Sequence, residues 1–211
     1  NGRSDGWDDP SCWNLDTWAD DVVRICDALG IERPIVLGQS FGGFVAQRYA
    51  ARHPQHPAAV VLSSTAARVH GEESAARFAT LGGPDAEASY RRVFLGGDVS
   101  SDAFLEYLMT AMPHYTTTPS TTDPGRPIMS FDVLVDFTRW FPDMDLRADL
   151  GRIVAPTLVL AGAQDPMTPT SCSQEIVAAL PDGVGELVVL GGAGHGTYHD
   201  LPEETEVILR E

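Results

Sequence analysis

Three residues far apart in the chain carry the side chains of nucleophilic catalysis: Ser40, Asp165 and His195. A serine hydroxyl is a poor nucleophile until a base takes its proton. Histidine takes and returns a proton near neutral pH, and a carboxylate on its other ring nitrogen fixes the tautomer and stabilises the imidazolium. Each of the three ends or sits within a glycine-containing stretch: Gly38-Gln39-Ser40-Phe41-Gly42-Gly43, Gly162-Ala163-Gln164-Asp165 and Gly192-Ala193-Gly194-His195. The first fits the pattern G-x-S-x-G, in which serine occupies a sharp strand-to-helix turn with its hydroxyl pushed out. Close passage of the flanking chain predicts that Gly38 and Gly42 are both sterically required. The backbone N–H of Phe41, directly after the serine, is the expected oxyanion donor, at the positive end of the following helix.

To meet, these residues need a common platform, and the chain around them alternates strand and helix signals. Ile35 to Leu37 is a continuous apolar run, expected to be a strand covered on both faces. A helix follows the serine to about Arg52. Ala58 to Leu62, Pro156 to Ala161 and Glu186 to Leu190 read as further buried strands. A helix over Leu15 to Leu29 has Leu15, Trp18, Val22, Ile25, Cys26 and Leu29 on one face, with Asn14 or Asp16 to cap it and Gly30 to stop it. Another runs from Pro169 to Leu180, with Thr168 as its N-cap, and a last one starts at Pro202. Strand, helix, strand implies a parallel crossover. Side chains at the carboxyl ends of parallel strands meet in one crevice, and Ser40, Asp165 and His195 each follow such an end.

Residues 67–145 break this rhythm. Helices are expected over Ala75 to Leu81, Ala86 to Phe94, Ser101 to Met112 (capped by Asp102) and Phe131 to Trp140. Tyr115 to Pro127 is Thr/Ser/Pro-rich and reads as a mobile loop. The segment is expected to be a helical insertion between two strands, with 1–66 and 146–211 forming the core.

Rivals exist for two of the three roles. Asp182 and Asp200 could replace Asp165, but neither directly follows a strand. His199 could replace His195, but lies further from its strand. His53, His56, His70 and His114 fall in loops or in the insertion, with no expected catalytic role.

A net charge of −16 argues against nucleic acid and anionic membrane surfaces as partners, since both require basic patches. Cys12, Cys26 and Cys172 suggest neither a disulfide framework nor metal-ligand spacing, and fit a reducing, cytoplasmic setting. No apolar run is long enough to span a membrane, and no cofactor or metal is called for.

The three glycine-containing motifs, in the order Ser, Asp, His, resemble those of the α/β-hydrolase superfamily, near its proline iminopeptidase-like and small-ester-hydrolase branches. Gly2-Arg3-Ser4-Asp5 also resembles the loop after that family's fourth strand. The resemblance implies an α/β-hydrolase fold: a mostly parallel sheet flanked by helices, with residues 67–145 as a helical cap. It implies a serine hydrolase acting through an acyl-enzyme on a small ester, amide or aminoacyl substrate. Carbon–carbon bond hydrolysis, peroxidation and non-catalytic ligand binding are alternatives on the same scaffold. Aminopeptidase action would need a carboxylate for the substrate's ammonium, for which Glu72, Glu73, Glu106, Asp132 and Asp136 are available. Proline iminopeptidases carry Gly-Gly-Ser-Trp-Gly at the elbow, so Gly-Gln-Ser-Phe-Gly weighs against peptidase action. The family order would put the elbow strand at an exposed edge. The expected partners are therefore a small-molecule or short-peptide substrate and an N-terminal segment of the same protein supplying further strands and a second oxyanion donor.

Overall fold

The computed structural model describes residues 9–119 and 131–210. The expectations for residues 1–8 and for most of the Thr/Ser/Pro-rich loop lie outside the described residues.

Helix α1 (Leu15–Leu29) opens on Asn14, whose side chain accepts the Thr17 N–H at 2.9 Å, and stops at Gly30 in the left-handed region, φ 69°. Strand β1 (Ile35–Gln39), helix α2 (Phe41–Arg52) and strand β2 (Ala59–Ser63) follow. Between β2 and the next strand lie α3 (Gly71–Tyr90), α4 (Ser101–Thr110), α5 (Phe131–Trp140) and the short α6 (Arg147–Leu150). Strand β3 (Thr157–Gly162), α7 (Thr170–Ala179), β4 (Gly185–Leu190), α8 (Thr197–Asp200) and α9 (Pro202–Arg210) complete the chain.

The four strands form one parallel sheet in the order β1-β2-β3-β4. Its register aligns Gln39 with Ser63, Ser63 with Leu160, and Gly162 with Leu190, so all carboxyl ends share one rim. The main core lies where Ala46, Tyr49 and Ala50 of α2 and Ile176 of α7 cover Val60, Leu62 and Val159. Each fully buried aliphatic side chain there contributes roughly 1.5–3 kcal/mol by leaving water. The expectation that β1 is covered on both faces does not hold. Val36 packs on the core, but Ile35 and Leu37 are 72% and 54% exposed, because β1 is the outer strand of the sheet among the described residues.

The segment between β2 and β3 closes on itself. Arg68 bridges Asp145, and the Leu146 N–H donates to the Ala67 carbonyl at 2.7 Å, so the chain leaves and rejoins the sheet at adjacent points. Phe78, Tyr90, Val93 and Tyr107 form an apolar cluster of its own. The two helices expected around residue 83 join across a kink at Gly83, φ 76°, with Pro84 behind it removing a donor. The N-cap of α4 is Ser100, whose side chain accepts from the Ala103 N–H, rather than Asp102.

Helices α1 and α2 are cross-linked by charge. Asp20 accepts from Arg52 Nη2 at 2.9 Å and meets His53 Nε2 at 2.7 Å. These bonds hold its carboxyl down from 3.8 to about 2. The stabilisation is thus complete above pH 3.8 and is lost as pH falls towards 2. Asp20→Asn is expected to cost under about 1 kcal/mol at neutral pH and to flatten the acid-side fall in urea-denaturation stability. An unchanged slope in that range would refute the linkage.

Candidate active site

The rim of the sheet brings together the residues the sequence singled out. Ser40 follows β1 directly, with φ 50° and ψ −118°, a left-handed conformation that non-glycine residues rarely adopt. Three hydrogen bonds hold it there. Its N–H donates to the Ser63 carbonyl of β2 at 3.0 Å, and its carbonyl accepts from the Gly43 N–H and the Thr65 hydroxyl, each at 2.9 Å. A Cβ at Gly38 would lie 2.3 Å from the Gly42 carbonyl oxygen and 2.7 Å from the Ala46 Cβ. Gly38 is therefore sterically required. Gly42 is not, since a Cβ there meets nothing within 4 Å; the crowding comes from its backbone alone. Phe41 takes the first position of α2, where a backbone N–H has no intrahelical acceptor.

Asp165 lies in the loop after β3, and its side chain is fully buried. Its carboxylate accepts from the Met167 and Thr168 N–H groups, each at 2.8 Å, and from the Thr168 hydroxyl at 2.7 Å. Thr168 is therefore not the cap of the next helix: α7 starts at Thr170, and the Thr168 hydroxyl donates to Asp165 instead. The loop after β4 crosses directly over β3. A Cβ at Gly162 would sit 2.0 Å from the Gly194 carbonyl oxygen, so only glycine permits the crossing. That crossing delivers His195, whose Nδ1 lies 2.9 Å from Asp165 Oδ2 and whose Nε2 lies 2.8 Å from Ser40 Oγ. With the carboxylate facing Nδ1, the neutral ring carries its proton there and turns a lone pair on Nε2 towards the serine hydroxyl.

Four residues that the sequence did not assign to the site support His195 or Asp165: Thr168, Gln39, Tyr115 and Asp200. Gln39 Nε2 donates to the His195 carbonyl at 3.1 Å. Tyr115 accepts the His195 N–H on its own carbonyl at 2.6 Å, and its ring meets the imidazole edge-on, centroids 4.8 Å apart. Asp200, the rival acid, is a clamp. Its buried carboxylate accepts from the N–H groups of Gly194 (2.8 Å), Thr117 (3.1 Å) and Thr118 (3.1 Å), tying the insertion to the His195 loop. Residues 115–118, expected to be mobile, are thus bonded to the rim. Gln39 stood in plain view beside Ser40, Asp200 was marked only as a rival to Asp165 and Thr168 only as a cap, and no local signal marked Tyr115. His199 is exposed, with Nε2 on the Thr118 carbonyl at 3.1 Å, and Asp182 is exposed in the turn before β4. His53, His56 and His70 are bonded to Asp20, Tyr49 and Glu175.

A cavity of about 650 Å³ opens beside Ser40, between the rim and the helical insertion. Phe41, Phe44, Phe94, Tyr107, Phe137 and Phe141 are among its walls. Among the described residues, no group of three or more His, Cys, Asp or Glu could hold a metal ion, and no helix is long and apolar enough to cross a membrane.

A parallel sheet with a serine on a strained strand-to-helix turn, and an aspartate and a histidine in the loops after β3 and β4, defines an α/β-hydrolase architecture. The family model described as alpha/beta hydrolase fold matches residues 1–202, so the chain belongs to that family of enzymes. It is 26% identical to an AB hydrolase superfamily protein of Bacillus subtilis, over 94% of this chain and 73% of that one. It is 29% identical to a proline iminopeptidase of Pestalotiopsis fici, over 84% of this chain and 64% of that one. The structure of a proline iminopeptidase from Mycobacterium smegmatis superposes with a TM-score of 0.69 at 25% identity, covering 95% of this chain and 71% of that one. The chain thus spans about two thirds to three quarters of the length of these proteins.

Two substitution sets test the geometry. Gly38→Ala is expected to destabilise by more than about 2 kcal/mol, because backbone must move, whereas Gly42→Ala in the first turn of α2 should be neutral or mildly stabilising. Equal effects in chemical denaturation would contradict the one-sided crowding. Asp200→Asn replaces one acceptor oxygen with a donor among backbone donors. It should cost about 1–3 kcal/mol and speed amide exchange at Gly194 and Thr117, while unchanged exchange would show that the clamp bears no load.

Proposed function

We propose that the chain is a serine hydrolase that works through an acyl-enzyme on an ester, amide or related acyl substrate. The observation that carries this reading is the continuous hydrogen-bonded series from Ser40 Oγ through the His195 ring to the buried Asp165 carboxylate, at 2.8 and 2.9 Å. In this reading Ser40 Oγ attacks the acyl carbon while His195 Nε2 takes its proton. Asp165 holds the imidazolium, and the Phe41 N–H faces the developing oxyanion. His195 then returns the proton to the leaving group. Water enters, gives its proton to the same nitrogen and releases the acid, restoring Ser40.

The helical segment 67–145 serves as the cap that shapes the substrate cavity, which its aromatic residues line. Among the described residues β1 is an edge strand with no partner on its outer side, which supports pairing with a further strand from an N-terminal segment of the same protein. Three unpaired cysteines are compatible with a cytoplasmic setting.

Ser40→Ala should abolish labelling by a fluorophosphonate and lower kcat on p-nitrophenyl butyrate by about 10⁴-fold or more, with stability unchanged. Asp165→Asn should lower kcat by about 10³–10⁴-fold through the wrong imidazole tautomer. Retention of full turnover by the Ser40→Ala protein would eliminate the mechanism.

A further inference from the structure

The cavity beside Ser40 is large, and its described lining holds Arg68 and His70 as basic groups and no acidic one. Phe44, Phe94, Phe104, Leu108, Met112 and Phe141 dominate its apolar lining. Tyr107 and Tyr115 hydrogen-bond to each other within the wall, and the Ser74 hydroxyl donates to the His70 and Met167 carbonyls. Burial pushes the Tyr90 phenol and the Cys172 thiol up to about 12, and pushes Tyr107 and Tyr115 up as well, so none supplies an anion at neutral pH. The basic groups at its rim are already balanced. Arg68 and His70 each meet Glu175 at 2.9 Å, and His70 also lies 3.4 Å from Glu73.

No aspartate or glutamate lines the cavity among the described residues. The carboxylates that could have received a substrate ammonium are committed elsewhere: Glu72 to Arg91 at 2.8 Å, Glu106 to Arg92 at 2.7 Å, and Glu73 to the Ser171 hydroxyl at 2.7 Å. Asp136 is not among the lining residues, and the side chain of Asp132 lies outside the described residues. An ammonium entering here would give up water without meeting a counter-ion. Attraction to a ring face returns roughly a tenfold preference, less than that loss. A bulky apolar group gains instead, by about fourfold in affinity for each methylene buried.

We propose that this site takes neutral esters with a bulky, aryl-bearing acyl part and rejects acyl groups that carry a free ammonium beside the scissile carbonyl. The proposal rests on the serine-hydrolase reading above and narrows its substrate class. It also separates this chain from the peptidases it resembles, in which the group bearing the scissile bond would be an aminoacyl residue.

The test compares three p-nitrophenyl esters on the wild-type protein: acetate, 3-phenylpropionate and phenylalanine. The last two differ only by the α-ammonium, which is kept protonated by the chosen pH. After correction for each ester's rate with hydroxide, kcat/KM for 3-phenylpropionate should exceed acetate by at least about tenfold. It should exceed the phenylalanine ester by about 100-fold. Preference for acetate would overturn the size assignment, and equal or better use of phenylalanine would overturn the charge assignment. Binding of methyl 3-phenylpropionate and of phenylalanine methyl ester to the Ser40→Ala protein reads the cavity without chemistry. The same preference is expected there, and its absence would overturn the proposal. If wild-type protein turns over none of the esters while the binding preference holds, the hydrolase reading fails and the cavity assignment stands.

Discussion

The Asp165 carboxylate is wholly buried and receives two backbone N–H groups, one hydroxyl and one imidazole nitrogen. A carboxylate withdrawn from water is tolerable only when such donors replace its hydration. The loop between β3 and α7 is shaped by that demand, which is why Thr168 turns inward rather than capping the helix. The imidazole completes the set, and its position is then fixed from one side. The Ser40 hydroxyl fixes it from the other. Everything else at the rim serves to bring the His195 loop across β3 so that this meeting occurs.

The second constraint is backbone strain. A serine at φ 50° costs about 1–3 kcal/mol, and the surrounding hydrogen bonds must over-determine it. Here they come from β2, from Gly43 in α2 and from Thr65 just beyond β2, so the neighbouring strand helps hold the elbow. The insertion is coupled to the same rim. Tyr115 bonds the main chain of His195, and Asp200 ties Thr117 and Thr118 to Gly194. A segment that shapes the cavity is thereby joined to the loop that carries the imidazole. The charge of the chain is distributed to match. With 30 acidic against 14 basic side chains, acidic groups such as Glu72 and Glu106 pair with arginine outside the cavity, while none of the described lining residues is acidic.

Much of this was legible in the amino-acid sequence. Helix α1 runs between the residues its periodicity and caps predicted, and the strands fall within two residues of the apolar runs. The three residues that meet at the rim were singled out by type, order and position after a strand, because parallel strands deliver their carboxyl ends to one rim whatever the intervening chain does. Other readings failed for identifiable reasons. Local rules made Thr168 a cap and Asp102 a cap, but a buried carboxylate outcompeted one role and Ser100 took the other. Composition made Tyr115 part of a mobile loop, but its carbonyl found a partner eighty residues away. An apolar run made β1 a doubly covered strand, but apolar character cannot report whether a second layer is present.

The sequence by itself determined which side chains could do chemistry and which ends of which elements carry them, since secondary-structure period and chain order are local properties. Tertiary structure alone decided the approach of Gly194 over Gly162, the clamp at Asp200, the idle space at Gly42 and the carboxylate-free lining of the cavity among the described residues. Each of these depends on atoms that come within contact distance only after distant segments have packed, and no local pattern encodes that distance.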